Sequence, residues 1–456
     1  MKLLPAIVAG ITVVAAAVNA FEWWAGPGIR SLPTDRIAYP DAKASGIVLL
    51  LSGTEGWSDR EQTVSDALAA GGAVVVGVDL PDYFAALAKE EDRTCLYLVS
   101  DIEELSRQIH REQEIAAYLP PVIAGIGGGG ALALAIAAQT PASTIAETIA
   151  IDPQASIPVE KILCTPAPKT VVDGGVAYGL TPGPLPEPVR ILLTPQADSA
   201  GEAHADALKQ THPAIEIISW DETAENLLLQ TVSTTLARLR QSSSPLGLPI
   251  VPTSVVPLHD TLAIIYSGDG GWRDIDQKLA AYLVEDGIPV VGVDALRYFW
   301  TEKSPQETAT DLSRIITTYR QRWNVKNVVL IGYSFGANIL PATYRLLPEA
   351  DRQAVSLLSL LALSHQADFE IAVTGWLGWA GAAKQGDPVD DIAKIEPHKI
   401  QCIYGTEEED TACPAVEDIP GTLIHSRPGG HHFDGDYRAL NRLIVDRIRA
   451  LSPPAM

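Results

Sequence analysis

Ser334 lies in a sequence pattern that is typical of a catalytic nucleophile. Residues 328–336 form an apolar run that turns on Gly-Tyr-Ser-Phe-Gly and leads into a helical stretch at 337–347. Gly332 and Gly336 permit a tight strand-to-helix turn, which exposes the serine hydroxyl at the carboxyl end of a sheet. A glycine-rich turn is also a common packing solution, so the pattern predicts a nucleophile only together with partner residues.

Two loops downstream of Ser334 contain the residues that would complete such a site. Residues 405–410 read Gly-Thr-Glu-Glu-Glu-Asp and follow a strand-like run at 400–404. Residues 428–434 read Pro-Gly-Gly-His-His-Phe-Asp and precede the final helical stretch at 437–451. A serine nucleophile needs a histidine base and an acid that orients it, and in this architecture the acid precedes the histidine. Order and spacing therefore predict a triad.

Each loop offers more than one candidate. The sequence favours His431 as the base because it directly follows the glycine pair, with His432 as the alternate. It favours Asp410 as the acid because this short side chain comes last in its loop, with Glu408 as the alternate. A metal site would need further ligands, and neither a His-x-x-x-His nor a Cys-x-x-Cys spacing supplies them. We therefore predict no metal and no cofactor.

The oxyanion hole is expected to use two backbone N–H groups. One belongs to Phe335, which follows the candidate nucleophile, and the other comes from a loop after an earlier strand. Residues 267–272 read Ser-Gly-Asp-Gly-Gly-Trp after an apolar run, and these glycines let main-chain donors approach a substrate oxygen. Asp269 or Gly270 is the predicted second donor, and a plain glycine turn is the alternative.

The chain contains an internal repeat. Three segments of the first half match segments of the second: 49–57 with 264–272, 75–80 with 290–295, and 121–127 with 327–334. Gly127 stands where Ser334 stands, and the corresponding region 217–226 contains no histidine. The first half is therefore predicted to keep the scaffold and to lack the nucleophile.

Both halves alternate apolar strands with amphipathic helices, the pattern of a mostly parallel sheet with helices on both faces. The predicted organisation is a signal peptide at 1–20, a degenerate α/β domain at 21–240, a Pro/Ser-rich linker at 241–257 and an α/β domain with the candidate site at 258–456. One helix start is clear, because Ser304 and Glu307 form a capping-box pattern around Pro305.

The N-terminus and the cysteines predict an exported protein. An apolar stretch after Lys2 ends in the small residues expected before signal-peptidase cleavage, here after Ala20. Four cysteines permit three disulfide pairings and fit an oxidising compartment such as the periplasm. A Cys402–Cys413 bond would bracket the acidic loop and a Cys95–Cys164 bond would lie within the first half, but the sequence alone does not choose among the three pairings, and buried free thiols are the alternative.

The charge balance excludes some partners. The 56 acidic residues outnumber the 33 basic residues, which gives a formal charge of −23. Nucleic-acid binding requires a basic patch, and docking on anionic lipid by electrostatics also requires positive charge. The acidic balance is compatible with a substrate that carries a cationic group, and it also favours solubility.

The chain resembles the AcvB/VirJ family of bacterial virulence proteins. The resemblance rests on five features taken together: the repeat, the export signal, the Ser-Gly-Asp-Gly-Gly-Trp loop, the Gly-Tyr-Ser-Phe-Gly turn and the Gly-Gly-His-His-Phe loop. The second half is similar to a VirJ-type domain, and the two-half layout is similar to that of AcvB. The resemblance implies two tandem α/β-hydrolase domains in the periplasm, the first one degenerate. It further implies hydrolysis of lysyl-phosphatidylglycerol to lysine and phosphatidylglycerol, with Ser334 as the nucleophile.

The resemblance also implies partners and a substrate-binding surface. Phospholipid at the membrane surface is the expected substrate, and links to virulence, acid tolerance and secretion-system components follow. Carboxylates would suit a lysyl group, and the candidates are Asp269, Asp294 and residues 407–409, with Trp272 as a further substrate-binding residue. Trp376 and Trp379 lie in an apolar stretch where these folds place a cap, and we expect contact with acyl chains or the membrane interface, or ordinary core packing.

Two other functions are compatible with the sequence. The protein could be a periplasmic binding or scaffold factor for a type IV secretion system, which uses the fold without chemistry. It could also be a lipase, a thioesterase or another esterase that acts on a different substrate. The intact loops of the second half favour an enzyme over a scaffold.

Overall fold

A computed structural model describes residues 32–90, 94–241, 245–371 and 385–451. The predicted signal peptide and both Trp376 and Trp379 lie outside these ranges, so their expected roles stay predictions. Within these ranges, none of the helices combines the length and apolar character that crossing a membrane requires.

The chain folds around two seven-stranded sheets with the same strand order and direction. In each sheet the first strand in the chain is an antiparallel edge strand and all the other pairings are parallel. Helices cover both faces of each sheet, as the alternating pattern predicts. The chain therefore has two α/β-hydrolase-like halves in tandem.

The first sheet lies in the N-terminal half and has the order β1-β3-β2-β4-β5-β8-β9, while β6 and β7 form a separate hairpin. The elements are β1 Ile37–Ala38, β2 Ile47–Leu51, α1 Asp59–Ala70, β3 Val74–Val78, α2 Leu80–Ala88, α3 Val99–Glu112, β4 Val122–Ile126, α4 Gly128–Ala137, β5 Glu147–Ile151, β6 Lys169–Val172, β7 Gly175–Tyr178, β8 Val189–Leu193, α5 Ser199–Thr211, β9 Glu216–Ser219 and α6 Ala224–Gln241.

The second sheet lies in the C-terminal half and has the order β10-β12-β11-β13-β14-β15-β16. The elements are β10 Ile250–Thr253, β11 Thr261–Tyr266, α7 Ile275–Glu285, β12 Val290–Val293, α8 Ala295–Tyr298, α9 Pro305–Trp323, β13 Asn327–Tyr333, α10 Phe335–Arg345, α11 Glu349–Ala354, β14 Val355–Leu361, α12 Pro388–Ile392, β15 Ile400–Gly405, α13 Cys413–Glu417, β16 Leu423–Arg427 and α14 Tyr437–Leu451.

The central strands are buried on both faces, which explains their continuous apolar runs. Along β11, Leu262, Ile264 and Tyr266 pack into the core on one face of the sheet, whereas Ala263 and Ile265 pack into the core on the other. This alternation follows from the two-residue period of a strand. The carboxyl ends of the parallel strands meet at one edge of the sheet, where the candidate loops begin.

Part of the predicted linker belongs to the second sheet. Ile250–Thr253 forms β10, which pairs antiparallel with β12, so the expectation of a linker throughout 241–257 is wrong for this segment. The proline in this strand is tolerated because an edge strand leaves one row of backbone groups unpaired. The capping box at Ser304 and Glu307 is confirmed at the start of α9.

Candidate active site

Ser334 lies at a strained turn between β13 and α10. Its backbone has φ 52° and ψ −116°, a conformation that L-residues rarely adopt. The flanking glycines are required by close contacts, since an added Cβ would lie 2.5 Å from Gly336 C at position 332 and 2.2 Å from Tyr266 O at position 336. The Ser334 N–H donates to Leu361 O at 2.9 Å. This turn leaves the Ser334 side chain partly exposed at the edge of the sheet.

His431 contacts the hydroxyl of Ser334. It lies in the loop after β16, the neighbour of β15, and its Nε2 is 2.9 Å from Ser334 Oγ. The glycines of this loop pack against the end of β15, because an added Cβ at Gly405 would lie 2.2 Å from Gly430 O. The Glu407 N–H also donates to Gly429 O at 2.9 Å, so the acidic loop and the histidine loop hold each other in place.

Glu408 is the acid that contacts His431. Its Oε1 lies 2.6 Å from His431 Nδ1, and its side chain is only 10% exposed. The preference for Asp410 is therefore wrong, because Asp410 is exposed on the outer part of the loop while the longer Glu408 side chain turns inward. With Nδ1–H donating to Glu408, the Nε2 of His431 is free to accept the hydroxyl proton of Ser334. This arrangement suits a base-assisted nucleophilic attack.

His432 has a different environment from His431. Its Nδ1 lies 3.1 Å from Tyr333 Oη, and no contact joins it to Ser334 in the described part of the chain. Removal from water lowers the pKa of His432, and the neighbouring His431 lowers it further. The Tyr333 hydroxyl donates to the backbone oxygen of His431 at 3.3 Å and can accept from His432 Nδ1–H, so it holds the histidine loop in place.

The loop at residues 267–272, named the oxyanion loop here, begins beside Ser334. An added Cβ at Gly268 would lie 3.7 Å from Ser334 Cβ. Ser267 Oγ accepts from the Ala295 N–H at 2.9 Å and donates to Gly268 O at 3.1 Å, which fixes the start of the loop. On the other side, the ring of Phe335 packs against buried Phe299 with 5.0 Å between ring centroids. The structure thus brings the loop and Phe335 to the two sides of the Ser334 turn.

Residues 260–452 match the model of a family described as bacterial virulence protein (VirJ). This part of the chain is similar to the VirJ family. The residues from β10 to α14 are called the VirJ domain below. A search of curated proteins found no match to the chain.

Solved structures similar to the chain include several α/β hydrolases with low sequence identity. An esterase from Thermogutta terrifontis is 13% identical over 44% of this chain and 93% of that chain, with a TM-score of 0.34. Est1E from Butyrivibrio proteoclasticus is 14% identical over 44% of this chain and 93% of that chain, with a TM-score of 0.32. A proline iminopeptidase from Mycobacterium smegmatis is 12% identical over 44% of this chain and 94% of that chain, with a TM-score of 0.34.

Two residues expected to bind substrate, Trp272 and Asp294, are buried within the VirJ domain. The Trp272 ring is 5% exposed and fills the space beside Gly292, where an added Cβ would lie 2.4 Å from the ring. Asp294 is 7% exposed, caps α8 through the Arg297 N–H at 3.2 Å, and accepts from the Trp272 N–H. This burial does not favour contact with a substrate, because the Trp272 ring is used in packing and the Asp294 carboxylate in capping. Asp269 is exposed and stays a candidate.

Asp276 is a further residue beside the site that the sequence motifs do not include. It is buried on α7, and its carboxylate accepts from the backbone N–H of Gly268 in the oxyanion loop. Burial raises the pKa of Asp276 well above its usual range, and the nearby Asp294 raises it further. The signal was present in the sequence, since Asp276 interrupts the apolar face that Ile275, Leu279 and Leu283 form.

The disulfides expected from cysteine positions are present. Cys402 in β15 is bonded to Cys413 at the start of α13, and Cys95 is bonded to Cys164. The first bond closes the segment that contains Glu408, which limits the freedom of the acidic loop. In the described ranges, no group of three or more His, Cys, Asp or Glu residues could hold a metal ion.

Proposed function

We propose that the VirJ domain is a serine hydrolase that cleaves carboxylic esters at Ser334. The observation that carries this proposal is the chain of hydrogen bonds from Ser334 Oγ to His431 Nε2 and from His431 Nδ1 to Glu408. A serine in a strained turn, a histidine at hydrogen-bond distance and a carboxylate behind it are the parts that acyl transfer needs.

In the first half of the reaction, Ser334 Oγ attacks the ester carbonyl carbon while His431 Nε2 takes the hydroxyl proton. The positive charge on His431 is balanced by Glu408, and the tetrahedral oxyanion accepts from the N–H of Phe335 and from a donor of the oxyanion loop. The bond from the carbonyl carbon to the alcohol oxygen then breaks. His431 returns the proton to this oxygen, and the acyl group stays on Ser334.

In the second half, a water molecule attacks the acyl-serine ester. His431 takes a proton from the water and passes it to Ser334 Oγ as the bond between serine and the acyl group breaks. The products are a free carboxylic acid and an unchanged enzyme. Neither step requires a metal ion or an organic cofactor.

For the substrate we propose lysyl-phosphatidylglycerol, which would yield lysine and phosphatidylglycerol. The match of residues 260–452 to the VirJ family model supports this choice. The exposed carboxylates of Asp269, Glu407 and Glu409, on the two loops that meet at Ser334, would attract the two positive charges of a lysyl group. The formal charge of −23 on the whole chain would also attract a cationic substrate.

The proposed location is the periplasm, next to the membrane that contains the substrate. Two disulfides support an oxidising, exported environment. We also propose that the consequences for the cell are changes in membrane lipid composition and in virulence, with secretion-system components as partners.

The test uses the purified full chain and vesicles that contain lysyl-phosphatidylglycerol. Lysine release is measured for the parent protein and for Ser334→Ala, with alanyl-phosphatidylglycerol and a neutral p-nitrophenyl ester as comparison substrates. We expect release by the parent and a decrease of about 10³-fold or more in kcat for the variant.

The comparison substrates separate the possible outcomes. Equal turnover of the lysyl and alanyl lipids would contradict recognition of the cationic group. Turnover of the p-nitrophenyl ester alone would indicate an esterase with another substrate. A third outcome would indicate a scaffold. In that case the parent protein turns over none of the three substrates, and the Ser334→Ala variant still supports virulence as the parent does.

A further inference from the structure

The oxyanion loop of the VirJ domain is attached to the N-terminal half through Arg273. The Arg273 Nη1 donates to Glu103 Oε1 at 2.9 Å and to Thr144 Oγ1 at 3.1 Å. Glu103 lies on α3 and Thr144 lies just before β5, so both belong to the N-terminal half. Arg107 donates to the same oxygen of Glu103 at 3.3 Å. The side chains of Glu103, Arg107 and Arg273 are 8%, 5% and 15% exposed.

Arg273 also lies directly against the loop. An added Cβ at Gly270 would lie 2.8 Å from one guanidinium nitrogen of Arg273 and 2.9 Å from another. The guanidinium group therefore occupies the space next to the Gly270 backbone, a candidate donor of the oxyanion hole. Any shift of Arg273 would remove this support from the loop.

A second contact joins the end of the loop to the same surface. The Gln277 side-chain amide donates to the backbone oxygen of Trp272 at 2.9 Å and to Ser143 Oγ at 3.4 Å. Ser143 precedes Thr144 in the N-terminal half. The loop is thus supported near Gly270 and at Trp272 by the half that lacks a nucleophile.

We propose that Glu103 is a positioning residue for the reaction at Ser334, acting through Arg273 and the oxyanion loop. The inference rests on the proposed ester hydrolysis. Oxyanion stabilisation depends on donors held at the developing negative charge, and a displacement of about 1 Å can lower the rate strongly. The N-terminal half would then have kept its fold because it fixes the loop of its active neighbour.

A matched control exists in the same half of the molecule. Glu147 in β5 is fully buried and forms ion pairs with Arg190 and Arg238, just as Glu103 pairs with Arg107 and Arg273. These partners of Glu147 all lie in the N-terminal half. Neutralising Glu147 disturbs a buried carboxylate of the same kind and leaves the contact to the oxyanion loop in place.

The experiment uses the full chain and compares Glu103→Gln, Arg273→Gln, their double variant, Thr144→Val and Glu147→Gln. Steady-state kcat and KM are measured with a p-nitrophenyl ester, and thermal unfolding confirms that each variant is folded. We expect a decrease of about tenfold or more in kcat for Glu103→Gln and for Arg273→Gln, with KM within about twofold of the parent. The double variant should be no worse than the single ones, because both remove the same contact.

The remaining variants separate positioning from general stability. Thr144→Val removes one hydrogen bond from Arg273 and should lower kcat by only a few-fold, about two to five. Glu147→Gln should leave kcat within about twofold of the parent. A folded Glu103→Gln with the parent kcat, or a Glu147→Gln that loses as much kcat as Glu103→Gln, would overturn the positioning role. A parent protein without esterase activity would instead overturn the proposed function, and the inference with it.

Discussion

Gly127 has the backbone conformation of Ser334. The torsion angles are φ 58° and ψ −115° at Gly127, and φ 52° and ψ −116° at Ser334. Each N–H donates to the last residue of the next strand, Ile151 O and Leu361 O, at 2.9 Å in both cases. The turn is therefore a property of the shared scaffold, and the N-terminal half keeps it without a hydroxyl group.

Restoring the hydroxyl in the N-terminal half should not create an active site. In Gly127→Ser, the new side chain meets open space, since an added Cβ has no neighbour within 4 Å. The left-handed φ should lower the free energy of unfolding by about 1–3 kcal/mol. We expect no ester hydrolysis in a Gly127→Ser, Ser334→Ala double variant, because residues 217–226 supply no histidine. Labelling of the new serine by a fluorophosphonate would contradict this expectation.

The two adjacent histidines should differ strongly in their effect on activity. His431 lies 2.9 Å from Ser334 Oγ, whereas His432 contacts Tyr333. We expect His431→Gln to lower kcat by about 10³-fold or more because the general base is lost. His432→Gln should lower kcat by less than about tenfold, since the amide can still bond to Tyr333.

Steady-state kinetics of these two variants with a soluble ester provides the measurement, and circular dichroism provides the control for folding. Equal losses in the two variants would mean that the bases have been assigned incorrectly.

Two of the four carboxylates in the acidic loop, those of Glu408 and Asp410, should differ in their effect on kcat. In Glu408→Gln, the amide cannot stabilise the imidazolium and can favour the wrong histidine tautomer, so kcat should fall by about 10³–10⁴-fold. Asp410→Asn removes an exposed charge and should leave kcat within about twofold. Both variants keep the size of the side chain, which makes them a matched pair. A larger loss in Asp410→Asn than in Glu408→Gln would restore Asp410 as the acid.

His110 should make the stability of the protein sensitive to acid. It is fully buried, its Nδ1–H donates to Ser106 O at 2.7 Å, and its Nε2 accepts from the Leu119 N–H at 3.2 Å. Burial, together with the charge of Arg111, lowers the pKa of His110 to about 4 against the opposing effect of the hydrogen bond to Ser106. The unfolded state, with a pKa of about 6.5, therefore binds more protons than the folded state between these values.

The sign follows from this difference in bound protons. The contribution of His110 to stability is complete above about pH 6.5 and is lost as the pH falls towards 4. Between pH 7 and pH 5, the loss due to this residue should be about 2 kcal/mol in the free energy of unfolding. Urea denaturation of the parent and of His110→Gln at both pH values tests the prediction. An unchanged pH dependence in the variant would rule out this residue as the cause.

Much of the fold is encoded locally in the sequence. The apolar runs of β11 and β13 predict strands because both faces of a central parallel strand are buried. The capping box at Ser304 predicts the start of α9, since capping depends on residues only three apart. The strand Ile250–Thr253 has no such local signal, because its Pro-rich sequence is acceptable as a strand only at an edge position next to β12.

The residue types that could do the chemistry are evident without a structure: Ser334 in its turn, a histidine after the glycine pair, and a carboxylate after β15. The contact of His431 with Glu408 rather than Asp410 appears only in the folded protein, because it depends on how two loops approach each other across the 23 positions that separate Glu408 from His431. The contact between Arg273 and Glu103 likewise depends on the folded structure, because these residues are 170 positions apart in the chain. Local sequence patterns predict helices, strands and turns, because these depend on residues close together in the chain. Contacts across the sheet edge and between the halves form only when the chain has folded.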